Sequence, residues 1–561
     1  MTPAFRRTAP APSLAVSAAA AVAAALTLAA FPALLSAQTP YSAAVTVEWD
    51  KPARPISEHI YGVAGGKPED LKRWGVASVR WGGNRSSRFN WKLGVDSAAH
   101  DWFFMNGGKP LPPGAENPWL SAAKSNHAAG RDLYLTIPCL GWVAKDGTSW
   151  GFSVKKYGPQ KAAEQWHPDA GNGLRPDGSP VAGNDPRDTS VEAPPGFIAE
   201  GVAPLAGLQG VGGRRVIYAL DNEPTLWHST HRDVHPVPVG YDELFDFAVR
   251  YGEAVRKADP KALIAGPATW GWMDLYWSAA DSPKNGHADR KAHGGAPLVA
   301  WYLGKMAEHE RKTGRRLLDI LDVHFYPQAP NVFGGGKTDA KTAELRLRST
   351  RSLWDPTYRE ESWISQVSPE PVRLIPLLKG WIAEKYPGTK LCLGEWNWGG
   401  ADHASGALAA AEALGVFGRE GVDYAYIWTT PEGTQRAAWD ILRDYDGKGG
   451  RFGDRGLKAA SDKPERLSAF AARAGDAGPW TVLLINKDLS DPATATVSVP
   501  AGTAGSPGSA RAPAVFLWTS ADGLKPAGPG AAEPAADGRS VAVRLPAASM
   551  AMLVLSPTTG R

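Results

Sequence analysis

Two short acidic motifs carry the chemistry of this chain. Asn222-Glu223-Pro224 closes the apolar run VIYALDNEP, and Glu395 closes KLCLGEW, just ahead of Asn397 and Trp398. Each run delivers a glutamate at the C-terminal end of a segment of strand length. One carboxylic acid that protonates a leaving oxygen, facing a carboxylate that attacks, is the equipment needed to hydrolyse a glycosidic bond. Glu223 fits the general acid/base, and Glu395 fits the nucleophile. Asn222 can hydrogen-bond a sugar 2-hydroxyl, a contact that strengthens as the oxocarbenium-like transition state forms. Partial burial and a neighbouring carboxylate should raise the Glu223 pKa toward roughly 6, as a catalytic acid requires. A single strand-end glutamate would read as a helix cap or an arginine partner; two with these neighbours read as catalysis.

Supporting residues follow from alternation. In DVHFY, His324 and Tyr326 point to the same face. Tyr326 can donate to the nucleophile carboxylate and keep it ionised, while His324 either contacts substrate or is a satisfied core histidine. Arg80 can hold Glu395 through a charge-assisted bond, and Trp428 can floor the site. Tryptophan is the second signal: of 23 in the chain, 20 lie from Trp74 to Trp439. Indole faces stack on sugar rings. Trp142, Trp150, Trp227, Trp270, Trp272, Trp396 and Trp398 lie at or just after strand ends and are expected to form subsites. Trp74, Trp301 and Trp381 have helical neighbours and read as packing.

The elements that must position these groups alternate between strand-like and helix-like runs from about Ile56 to Asp454. Strand candidates lie near residues 62, 80, 136, 218, 266, 322, 392 and 426. Eight such runs separated by amphipathic stretches predict an α/β fold, a (β/α)8 TIM barrel with its acids at the C-terminal mouth. The clearest helix runs from Tyr241 to Lys257, with apolar residues at helical spacing and Asp259-Pro260 as its stop. Long Gly/Pro/Asp-rich stretches, 141–213 and 328–368, read as cleft walls. Beyond about Gly456, short alternating runs between turns predict an additional antiparallel β-sandwich domain. The expected division is a signal peptide over 1–37, an N-terminal strand for the sandwich within 38–55, the barrel over 56–455 and the sandwich over 456–561. The acids then occupy the fourth and seventh strands, which predicts carboxyl groups roughly 5–5.5 Å apart, the retaining spacing.

Bulk properties narrow the partners. The 61 basic and 57 acidic residues leave a formal net charge of +4, which points to no nucleic-acid partner and favours a neutral substrate. Arg6-Arg7, an Ala/Leu-rich stretch from Leu14 to Leu35 and Ala37 read as a secretory signal cleaved near Ala37. That predicts an extracellular or periplasmic protein with no membrane attachment after cleavage, and a monomer. Cys139 and Cys392 sit in apolar runs and read as free buried thiols. No cofactor is needed for the chemistry. His228, His231 and His235 lack a zinc-ligand spacing. The stretch 169–188 offers oxygen ligands for a structural calcium, or ordinary turn chemistry, and Asp444-Tyr445-Asp446-Gly447 is too short for an EF-hand loop.

The strings RWGGNRSSRFNW (80–91), YALDNEP (218–224), DVHFYP (322–327), LWDPTY (353–358), GEWNW (394–398) and RDYDGKGGRFGD (443–454) together resemble glycoside hydrolase family 44. The resemblance runs from about residue 45 to the C-terminus. It implies a barrel joined to a β-sandwich and retaining endo-β-1,4-glucanase activity, often with xyloglucan as a good substrate. It places the acid/base on Glu223 and the nucleophile on Glu395, and it allows a bound calcium without locating it. A xylanase or mannanase on the same barrel is the nearest alternative, and a non-catalytic polysaccharide-binding protein a more distant one.

Overall fold

The computed structural model describes residues 38–334, 338–503, 512–535 and 539–557; the signal-peptide reading falls on 1–37, outside them. Eight strands close into a barrel: Gly62–Val63, Ser78–Trp81, Asp132–Ile137, Val216–Leu220, Leu263–Thr269, Ile320–Phe325, Lys390–Trp396 and Tyr424–Ile427. They are called barrel strands one to eight below. Every neighbouring pair is parallel, including strand eight with strand one. These strands read as near-continuous apolar runs because both faces are buried. Ile217, Ala219, Ala265, Ile320, Cys392, Tyr424 and Tyr426 fill the barrel interior. Their neighbours in sequence, such as Val216, Tyr218 and Leu220, point outward to the helices. The helix Tyr241–Ala258 shows how the outer layer is built: Leu244, Phe247, Ala248, Tyr251 and Val255 form its buried stripe.

The sandwich draws on both ends of the chain. Its five-stranded sheet runs Ala459–Ser461, Tyr41–Val47, Ala493–Ser498, Ser540–Leu545, Ala532–Pro534. Its seven-stranded sheet begins with Arg54–Pro55 and Arg455–Leu457 and ends with Gly523–Pro526. Tyr41–Val47 alternates strictly between buried and exposed residues, as a strand with one covered face must. One pair departs from the expected antiparallel pattern: Tyr41–Val47 lies parallel to Ala493–Ser498. No hairpin joins these two strands, so turn geometry does not dictate their direction.

Barrel and sandwich meet on the helix Ala404–Glu420, which follows barrel strand seven. It is buried from Ala404 through Gly418, and its alanine-rich sequence lets layers on both sides approach closely. Glu412 on this helix accepts from Ser468 Oγ of the sandwich at 2.9 Å, and Lys487 Nζ stands 3.6 Å from the same carboxylate, both charges almost fully buried. At Gly415 an added Cβ would stand 2.6 Å from the Phe470 ring. Gly415→Val is therefore expected to destabilise the protein by about 1–3 kcal/mol, the usual cost of overpacking. A fall in the urea midpoint with an unchanged slope would show it.

Candidate active site

The site is assembled at the C-terminal mouth of the barrel. Ser78 on strand two bonds Tyr426 inside the barrel, so alternation carries Arg80 inward as well. On strand six, Ile320 lies in the interior cluster, and the same parity aims Asp322 and His324 inward. Strand seven needs a device. With Cys392 inside, plain alternation would send Glu395 outward. A register shift opposite Val323 and His324 inserts one residue, Gly394, and pairs His324 with Glu395. This bulge re-aims the glutamate into the mouth. Only glycine fits there, because a Cβ at 394 would stand 2.2 Å from Asp322 Oδ1.

Glu395 is 5% exposed. Arg80 Nη1 donates to its Oε1 at 2.7 Å, and the Tyr326 hydroxyl donates to its Oε2 at 2.8 Å. Arg80 also donates through Nη2 to Asn222 Oδ1 at 2.8 Å, and Asn222 Nδ2 donates to Asn84 Oδ1 at 3.2 Å. The His324 imidazole spans the pair, with Nδ1 2.9 Å from Glu223 Oε1 and 3.6 Å from Glu395 Oε2. Glu223, His324 and Glu395 each offer an atom within 4.8 Å of the others. This is the grouping among the described residues that has the reach to hold a metal ion, but Arg80 and Tyr326 already engage both oxygens of Glu395.

The electrostatics separate the two acids. Burial raises the Glu223 pKa above the usual carboxylate value, and the charge of Glu395 adds to the rise. For Glu395 burial works the same way, but His324, Arg80 and the Tyr326 hydroxyl outweigh it and hold the carboxyl below its ordinary value. Burial opposes an imidazolium at His324, and the flanking carboxylates overcome it, so its pKa stands above the usual histidine value. The surroundings thus push the two carboxyls apart, Glu223 upward and Glu395 downward, the division of labour that acid/base pairs need.

Local backbone conformation aims Glu223. The residue sits at φ 46°, ψ 55°, in the left-handed region that side chains other than glycine seldom occupy. Its N–H donates to Ala268 O at 3.0 Å. Behind it, Asp221 is fully buried and accepts from the N–H groups of Cys139, Leu140 and Asn222 and from Trp227 Nε1. Burial pushes its carboxyl up to about 6.

The tryptophans divide sharply. Trp428 is half-buried, with its ring 5.6 Å from the Arg80 guanidinium and against Gly83. Trp142 is half-buried in the long wall loop, under Arg187. Three expected platforms are instead packing residues. Trp396 is fully buried and stacks on Trp439 at 6.0 Å; next to an inward Glu395, it must face the helices. Trp398 is buried against Phe325 and donates to Ser349 Oγ. Trp227 is buried against Phe247, its N–H spent on Asp221. None of the three presents a face to a sugar. Trp272 is likewise buried, whereas Trp150 and Trp270 are half-buried.

Three residues that sequence reasoning passed over lie on or beside the network around Glu395. Asn84 extends the Arg80–Asn222 chain, and its signal was the turn Gly82-Gly83 directly after strand two. Exposed Phe333 lies with its ring 4.5 Å from Tyr326. Trp102, 43% exposed, follows Asp101, whose carboxylate accepts from Asn84.

The loop candidates for metal are otherwise engaged. Asp169 accepts from Trp150 Nε1, Ser153 Oγ and Lys155 N, and Asp188 from Lys156 and Tyr157. His231 is fully buried, and burial pushes its pKa well below the usual histidine value. A buried ion pair, Arg88 with Asp233 at 3.1 Å, ties the loops after strands two and four. Cys139 and Cys392 are buried and unbridged.

Two acids whose pKa values are shifted in opposite directions, bracketed by an arginine, an asparagine and a tyrosine at the mouth of a parallel barrel, define the class of barrel glycosidases. The pattern of glycoside hydrolase family 44 matches residues 95–329. Endoglucanase A of Paenibacillus lautus is 34% identical over 79% of this chain, which spans only 63% of that enzyme. The crystal structure of CelM2, a bifunctional glucanase-xylanase from a metagenome library, superposes with a TM-score of 0.84 at 37% identity, covering 93% of this chain and 100% of that one. A family 44 xyloglucanase from Paenibacillus polymyxa gives 0.75 at 27% identity, covering 92% and 100%. The chain belongs to glycoside hydrolase family 44.

Two outcomes follow from this geometry. Tyr326→Phe removes a donor that holds Glu395 ionised, so the Glu395 pKa rises. The reaction needs the carboxylate, and the acid limb of the kcat/KM profile should therefore move to higher pH. The lost bond to a charged group is worth about 1.5–3 kcal/mol, or roughly 10- to 100-fold in kcat/KM. Separately, Trp396→Ala should cost about 3–5 kcal/mol of stability, whereas Trp428→Ala should lower kcat/KM with little change in Tm.

Proposed function

We propose that this protein is a secreted, retaining endo-β-1,4-glucanase that hydrolyses β-glucans such as cellulose derivatives and xyloglucan. The observation that carries the double-displacement reading is the short reach between the acids. An oxygen of Glu223 lies within 4.8 Å of one of Glu395, which is nearer the roughly 5–5.5 Å spacing of retaining pairs than the roughly 6.5–9.5 Å of inverting ones. In the first step Glu395 bonds the anomeric carbon, the glycosidic C–O bond breaks, and Glu223 passes its proton to the leaving oxygen. In the second, Glu223 takes a proton from water as that water displaces Glu395. Asn222, oriented by Arg80 and Asn84, is placed for the sugar 2-hydroxyl.

The substrate class rests on the relatives, an endoglucanase, a glucanase-xylanase and a xyloglucanase. Secretion rests on the signal-like N-terminus. A second reading, xylanase activity on the same site, is favoured by CelM2, which combines both. Release of reducing ends from xyloglucan, carboxymethylcellulose, xylan and mannan separates the readings; inactivity on both glucans would reject the first.

For the mechanism, Glu223→Gln and Glu395→Gln should each abolish turnover. Azide should rescue Glu223→Ala as a β-glycosyl azide and Glu395→Gly as an α-glycosyl azide. Inverted product in the first minutes of wild-type hydrolysis, followed by NMR, would rule out double displacement.

A further inference from the structure

The left-handed backbone at Glu223 has to be held, since such a conformation persists only where its surroundings determine it. Asp221 holds one flank. The other flank depends on the end of barrel strand five and the loop that follows it. Near the strand's end Ala268, itself at φ 53°, accepts the Glu223 N–H. One turn further, Asp274 reaches back: its Oδ2 accepts from the Thr225 hydroxyl and from Trp270 N at 3.1 Å. Thr225 is two residues beyond the acid. Asp274 is 2% exposed, and it has no part in the two chemical steps above.

We propose that Asp274 is a positioning residue for the acid/base. By tying Thr225 to the strand-five loop, it locks the turn that directs the Glu223 carboxyl at the leaving oxygen. A buried carboxyl here is well suited to the task. Burial pushes its pKa up to about 7, with the Glu223 charge adding to the rise, so below neutral pH it binds Thr225 while placing little negative charge beside the acid. This inference rests on the reading of Glu223 as acid/base.

The leaving group supplies the test. Cleavage of a cello-oligosaccharide needs a proton from Glu223, whereas a 2,4-dinitrophenyl β-cellobioside departs without one. Asp274→Ala should lower kcat/KM on the oligosaccharide by roughly tenfold or more, since an ångström of misplacement can cost about 100-fold. On the dinitrophenyl substrate the loss should stay within about threefold, because no proton transfer is being mispositioned. Asp274→Asn keeps the acceptor oxygen and should restore the oligosaccharide rate. Thr225→Val removes only the hydroxyl and should reproduce the selective loss, which keeps the test open if Asp274→Ala fails to fold. Equal losses on both substrates, or no loss in folded variants, would overturn the proposal. Glu223→Ala run alongside isolates the underlying reading: if it too loses both substrates equally, the acid/base assignment fails, whereas selectivity there but not at Asp274 or Thr225 rejects the positioning role alone.

Discussion

The site depends on one buried cation. Arg80 is 3% exposed, and its guanidinium joins strands two, four and seven by bonding Glu395 and Asn222 at once. A charge taken out of water is tolerated only when paired and hydrogen-bonded. Burial opposes it here, and the carboxylates of Glu395 and Asp322 restore it, raising its pKa. Several sequence features serve this one contact. Gly82 leaves room for the guanidinium, because a Cβ there would meet it at 2.4 Å. The bulge at Gly394 brings Glu395 within reach, and Trp428 lies over the charge. The same ion pair that stabilises the mouth lowers the pKa of Glu395, so structure and electrostatics rest on a single pairing.

The acids were legible because strand ends are written locally, although the inward turn of Glu395 needed the bulge at Gly394, which alternation does not show. His324 and Tyr326 share a face by period-two alternation, and Arg80 follows from the parity of Ser78. The tryptophan reading failed where it relied on proximity along the chain. A residue next to an inward glutamate must face outward, so Trp396 was bound to be a packing residue once Glu395 was placed. Trp398 and Trp227 turn inward to the helical layer because Ser349 and Asp221 offer acceptors for their indole N–H groups, partners distant in sequence or hidden in a turn. Asn84 and Asp274 were silent for a related reason. Short polar residues in loops acquire a role only through the strand end they meet in space, and no periodicity marks them. Tyr41–Val47 gave its buried face away by alternation, but not its parallel partner, since pairing direction is set by the path of the intervening chain.

The barrel and sandwich are coupled through the element next to Glu395. The helix Ala404–Glu420 follows the strand that carries Glu395, and it is enclosed by the barrel on one side and the seven-stranded sheet on the other. An alanine-rich helix buried on all faces has little shape of its own with which to fix its position. The Glu412 contacts with Ser468 and Lys487 and the close approach of Phe470 at Gly415 supply that register. The sandwich therefore acts as a backing plate for strand seven, whatever else it contributes.

The parallel contact between Tyr41–Val47 and Ala493–Ser498 spans nearly the whole chain. During synthesis the first strand emerges more than four hundred residues before either of its neighbours exists. Until then its alternate apolar residues and open edge have no native partner. The barrel can close in the meantime, since its strands are contained within the intervening length. The sandwich is consequently completed after the barrel. A chain clipped before Ala493 would leave Tyr41–Val47 without its parallel neighbour, an edge open to pairing with another chain.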